Sequence, residues 1–148
     1  MGQRSIDREI HIDAAPEVVY EVVSTPEHLR EWWPDEAEFD AAPGAAGTLA
    51  FTNRPDGKVV PLTVVEADPP RRFSFLWTYP LDEVATPANA LLVTFDLLPK
   101  GAGTVLRFSE TGFDESGASD EVFRDHITGW DYFLPRLAPY VDRLVSTP

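Results

Sequence analysis

Apolar and polar residues alternate from Ser5 to Ile12, with Ile6, Ile10 and Ile12 on one face and Asp7, Glu9 and His11 on the other; Arg8 alone breaks the apolar row. A period of two predicts a half-buried first strand. Pro16 suits the first turn of a helix, and Val18, Val19, Tyr20, Val22 and Val23 give that helix an apolar side as far as Ser24. A second short helix is expected from Pro26, capped by Thr25. It ends by Trp33, because Pro34 disfavours helical backbone in the residue before it.

From Glu36 to Arg107 the pattern is that of consecutive strands cut by turn signals. Gly44, Gly47, Asp56-Gly57, Asp68-Pro69-Pro70 and Lys100-Gly101-Ala102-Gly103 are the punctuation. Between them lie Thr48 to Thr52, Val59 to Ala67, Arg72 to Tyr79, Leu91 to Leu98 and Thr104 to Thr111, so short reversals imply an antiparallel meander of about six to seven strands. Pro61 has no ladder donor, which predicts an edge or bulge position; an open edge near Thr48 or Pro61 is also where a homodimer is expected to pair. Pro80 to Pro87, with Asp82 and Glu83, reads as a mobile loop.

After Gly117 the period changes to three and four: Phe123, Ile127, Trp130, Leu134, Leu137, Val141 and Leu144 make one apolar stripe. A helix from about Ser119 to Leu144 would be roughly 39 Å long. Pro135 and Pro139 predict a bend or break between Asp131 and Pro139. The order of strand, two short helices, sheet and long helix is that of a single α+β domain over residues 1–148.

Composition narrows the chemistry. An apolar fraction of 43% supports a packed core, and the absence of cysteine removes disulfides, thiolate metal sites and cysteine nucleophiles. The formal charge of −13 argues against nucleic acid and anionic membrane as partners. It divides as −8 over residues 1–40, zero over 41–109 and −5 over 110–148, so the helical ends carry the excess. Acids such as Glu27, Glu31, Glu36, Glu38 and Asp40 are expected to be a solvated face. No apolar run reaches the ~20 residues of a membrane span and no signal-type stretch opens the chain, so a soluble cytoplasmic protein is expected.

Ile12-Asp13-Ala14-Ala15-Pro16-Glu17-Val18-Val19-Tyr20, then Thr25-Pro26-Glu27-His28-Leu29 leading to Trp32-Trp33, resemble the start of the START-like, Bet v 1-type superfamily (SRPBCC). Glu66-Ala67-Asp68-Pro69-Pro70-Arg71-Arg72-Phe73 running into Trp77, Gly103-Thr104-Val105-Leu106, and Gly129-Trp130 are similar to its branch of homologues of the activator of the Hsp90 ATPase. The resemblance implies a helix-grip fold, with a curved sheet and a long final helix over a cavity for a hydrophobic molecule. Its members include lipid carriers, hormone receptors, polyketide aromatases and cyclases, and chaperone-activating domains. Fold alone does not select among these activities. The final helix of the family is usually unbroken, which Pro135 and Pro139 contradict here. Chaperone activators of this branch carry a separate amino-terminal domain that these residues lack, so a chaperone partner ranks last.

The best candidate surface is aromatic. Alternation sends Phe73, Phe75, Trp77 and Tyr79 to one face of their strand. The final helix would oppose them with Phe123, Ile127, Trp130 and Leu134, and Trp32, Trp33, Phe51, Leu62, Phe95 and Phe108 would lie nearby, with His126 at the border of the pocket. Core filling is the ordinary fate of such residues, but indole and phenol groups carry a polar handle that a pocket offers to a ligand. Of the three histidines, His11 and His28 are expected at the surface, whereas His126 lies one turn before Trp130 and Glu110 continues the face of Leu106 and Phe108. A carboxylate beside an imidazole supports acid–base chemistry; the plain alternative is a surface histidine among Glu121 and Asp125. No metal-ligand spacing, nucleophile elbow or phosphate loop is present, so neither metal nor cofactor is expected. The leading expectation is binding of a small hydrophobic or aromatic ligand. The alternative is a cofactor-free cyclase, aromatase or dehydratase in which Glu110, His126 or Tyr79 moves protons.

Overall fold

The computed structural model describes residues 4–51, 58–78 and 90–146. Strand β1 (Ile6–Ile12) is followed by helices α1 (Pro16–Ser24) and α2 (Pro26–Trp32), then by strands β2 (Glu36–Glu38), β3 (Ala46–Phe51), β4 (Lys58–Asp68), β5 (Arg72–Thr78), β6 (Ala90–Lys100) and β7 (Gly103–Thr111). Helix α3 (Asp120–Phe133) closes the order with a 3-10 turn at Leu134–Arg136 and helix α4 (Leu137–Ser146). The strands form one antiparallel sheet in the order β1-β7-β6-β5-β4-β3-β2, so the meander from β2 to β7 is extended by the first strand. The expected α+β helix-grip arrangement of one antiparallel sheet, two short helices and the final helical segment is the one observed.

Each sheet face follows from the alternation. On the inner face, register aligns Ile6, Glu110, Val93, Phe75 and Val64 in one cross-strand row, and Arg8, Phe108, Phe95, Phe73 and Ala67 in the next. Arg8, which interrupts the apolar row of β1, reaches Asp131 of α3 through both Nε (2.8 Å) and Nη2 (3.2 Å). On the outer face Arg72 faces Asp96, Asp96 faces Arg107, and Arg107 faces Glu9 across four strands, with Arg72 also 3.4 Å from Glu66. Arg72 thus pairs with Asp96 and Glu66 inside the neutral middle of the chain, and Arg107 pairs with Glu9 of the first strand. Each exposed pair contributes no more than about 1 kcal/mol.

Two glycines are fixed by their neighbours. At the β6–β7 turn Gly101 takes a φ of 59°, as the first position of a two-residue hairpin requires. A Cβ on Gly47 would lie 2.2 Å from the carbonyl oxygen of Glu38, where the chain leaving β2 crosses β3.

Several expectations are corrected. Pro61 lies on an interior strand, facing Thr48, and the irregularity of β4 falls between Val64 and Glu66. Thr48 is itself paired on its other side with Glu38, so the dimer edge expected at Thr48 or Pro61 is occupied. The short β2 supplies that cover; Glu36 and Glu38 remain exposed on it, as a solvated face should be. Thr25 holds the cap position of α2 but its side chain makes no cap hydrogen bond. The long final helix is broken into α3 and α4, within the range that the prolines predict. Pro135 sits in the 3-10 turn, and Pro139 falls in the first turn of α4, where a missing N–H costs little. The expected turn at Asp56-Gly57 and loop at Pro80 to Pro87 lie outside the described residues. Among the described residues no helix is long and apolar enough to cross a membrane.

Candidate functional site

Glu110 is the anomaly of the inner face. Its row neighbours are aliphatic or aromatic and buried, and Glu110 itself is 0% exposed. Trp77 Nε1 donates to its Oε2 at 2.7 Å, and Trp130 Nε1 donates to its Oε1 at 2.8 Å. His126 Nδ1 lies 2.9 Å from Oε1. The three partners come from two different periods in the chain. Trp77 is on the inward parity of β5, while His126 and Trp130 stand four residues apart on α3 and so share a helical face.

Burying a carboxylate costs several kcal/mol after relaxation, and hydrogen bonds to a charged group recover about 1.5–3 kcal/mol each. Two indole donors and the imidazole contact therefore make Glu110 tenable in this row. They do not make it advantageous over a well-packed leucine.

Around the carboxylate the rings interlock. Trp33 ends α2, where Pro34 forces the chain out of the helix, and its ring meets those of Trp130 (4.6 Å between centroids), Trp77 (5.1 Å), Phe51 (5.9 Å) and Phe75 (5.9 Å). Phe108 lies 4.5 Å from Trp130 and 5.6 Å from Phe95. His126, with its side chain 20% exposed, is the outer end of the cluster; its ring stands edge-on to Trp77 and to Phe113.

Sequence reasoning thus gathers Trp33, Phe75, Trp77, Phe95, Phe108, Glu110, His126 and Trp130 correctly into one cluster. Ile127 is partly buried against the same core. Trp32 joins the cluster through its ring, which stacks on Trp33 (6.1 Å) and stands edge-on to Phe95 (6.3 Å), but its Nε1 donates to the Val22 carbonyl of α1 at 3.2 Å, so its polar handle is used within the core. Tyr79 lies outside the described residues. His11 is exposed as expected, but His28 is not a free surface residue. It is half-buried, with Nδ1 2.7 Å from the Tyr140 hydroxyl of α4.

Phe113 was not foreseen. It is fully buried against Phe123 and His126 although it follows the strand on what alternation would make the outer parity. Gly112, with a φ of 98°, turns it inward, and that glycine is its only trace in the sequence. Arg4 secures the same loop, bonding Asp114 through Nε (2.7 Å), Asp120 (3.0 Å), and the carbonyls of Phe113 (3.1 Å) and Ala118 (2.7 Å).

Chemically, the pair joins an oriented imidazole to a carboxylate shielded from water. Nδ1 is engaged by Glu110, which leaves Nε2 as the ring atom for exchange with another molecule. Among the described residues no cluster of three or more metal-ligating side chains occurs. Two open surface hollows, of about 430 and 400 Å³, lie elsewhere, at His11 to Asp13 beside the β6–β7 turn and at Glu17 to Thr25 beside Pro69-Pro70.

Known structures share this fold. Protein MLL2253 from Mesorhizobium loti is 24% identical, with a TM-score of 0.78 over 95% of this chain and 98% of its own. CalU16 from Micromonospora echinospora is 22% identical, with a TM-score of 0.69 over 93% of this chain and 75% of its own. DynU16, a protein of the dynemicin biosynthetic locus, is 20% identical, with a TM-score of 0.76 over 95% of this chain and 48% of its own. No curated protein matches the sequence. The family model described as Activator of Hsp90 ATPase homolog 1-like protein matches residues 13–142, a span that holds Trp77, Trp130, Glu110 and His126, and the chain belongs to that family.

Proposed function

We propose that this protein binds a small hydrophobic or aromatic molecule between the sheet and α3, at the end of the aromatic cluster marked by Trp77 and His126. The observation that carries this reading is Glu110, a wholly buried carboxylate in an apolar row, held by two indole N–H groups and a largely buried imidazole. Stability alone does not call for such a group, whereas a binding site needs a few fixed polar atoms in an apolar wall. That one structural neighbour, DynU16, is named for a biosynthetic locus fits an organic ligand of this kind. The test is native mass spectrometry of protein purified gently from its own source. A bound small molecule, absent from a Trp77→Ala variant that still folds, is the expected result; ligand-free protein at every preparation contradicts it.

The His126–Glu110 contact favours a second reading, cofactor-free acid–base catalysis on a bound aromatic or polyketide-like substrate. Here Glu110 would position the ring and Nε2 would move the proton. Once a substrate is known, unchanged turnover by the double variant His126→Ala, Glu110→Gln removes the pair from the mechanism.

A further inference from the structure

Resting on the ligand-site reading above, we propose that the Glu110–His126 pair selects an acidic hydroxyl, a phenol or enol, and takes up its proton at His126 Nε2. Indole nitrogens only donate, so the bonds from Trp77 to Oε2 and from Trp130 to Oε1 make both oxygens of Glu110 acceptors. In the tautomer that carries the proton on Nδ1, His126 is the third donor to the same carboxylate and Nε2 holds the free lone pair. The ring is fixed by that bond and by edge contacts with Trp77 and Phe113, and Nε2 is the polar atom it has left to offer.

A purely hydrocarbon ligand laid against Nε2 would strip it of water and give nothing back. A phenol or enol satisfies it, whichever way the proton sits. The ligand O–H bond breaks, an N–H bond forms at Nε2, and the electron pair remains on oxygen; the resulting imidazolium lies between the ligand oxyanion and the Glu110 carboxylate. The charge of the whole protein favours the same class. At −13 it repels a ligand that is already an anion, whereas a neutral hydroxyl can enter and ionise inside.

The experiment uses 4-nitrophenol and 4-nitroanisole, which differ in the hydroxyl alone, at mildly acidic pH where free nitrophenol is mostly colourless. Quenching of tryptophan fluorescence reports binding, and the visible phenolate band reports proton transfer. The expected result is that both bind, nitrophenol about tenfold to a hundredfold tighter and as the coloured phenolate. In His126→Phe both probes bind alike and nitrophenol stays colourless. Equal binding of the two probes to the wild-type protein with no phenolate band overturns the hydroxyl selection while leaving the ligand site standing. Binding of neither probe overturns both. The wild-type comparison decides the matter even if the variant fails to fold.

Discussion

Glu110 shows how a single residue can be inexplicable by packing and intelligible by chemistry. Its place is dictated by alternation along β7, and its solvation is replaced by N–H groups from β5 and α3. Glu110→Gln turns one acceptor oxygen into an NH₂ group, which must then face an indole N–H in either orientation. Urea unfolding should show a loss of about 1–3 kcal/mol for that change. An unchanged midpoint and slope would mean that the carboxylate does not hold both indoles. Trp77 was legible as an inward aromatic with a polar handle, because strand period and residue type point the same way. The bond that uses the handle was not legible, since it joins positions 33 residues apart in sequence through a register that no local pattern encodes.

At the scale of elements, the boundaries follow local rules where those rules are strong. Ser119 caps α3 as its side chain accepts from Val122 N, and Ser119→Ala should lower stability by about 1 kcal/mol in chemical denaturation. Gly129 lies inside α3 with nothing within 4 Å of where a Cβ would stand. Gly129→Ala should therefore raise stability by about 0.5–1 kcal/mol, and a loss instead would show that the space above it is needed. Strands β1, β3 to β7 and the break in the final helix were legible because alternation, turn residues and proline agree. Strand β2 was not, being three residues of alternating acid that exist only by pairing with β3. Pro61 misled for a related reason: lack of a donor excludes one hydrogen bond, not membership of an interior strand. His28 likewise gave no sign of Tyr140, whose approach depends on how α4 leaves the 3-10 turn.

For the whole molecule, two arginines near the amino terminus tie it to the carboxy-terminal half. The Arg4 guanidinium, hydrogen-bonded to Asp114, and Arg8, hydrogen-bonded to Asp131, hold those carboxyls below the usual carboxylate range. A carboxyl whose folded value is depressed contributes stability that is full above its unfolded value, about 4, and is lost as pH falls through the folded value. Thermal melts from pH 6 downward should thus show Tm falling below about pH 4, with a shallower fall in Arg8→Ala and Arg4→Ala, whose Tm is lower at pH 6 and converges on the parent's at the acid end. An acid limb as steep in the double variant as in the parent would assign acid lability to other carboxyls. An apolar ligand that meets the cluster around Glu110 is directly observable through the four tryptophans. Titration of a small aromatic compound should be followed through the indole N–H signals in a nitrogen-15 correlation spectrum. The signals of Trp77 and Trp130 should move most and that of Trp32, bonded to the Val22 carbonyl, least. Saturating shifts confined to other parts of the protein, or no indole shift at all, would contradict it.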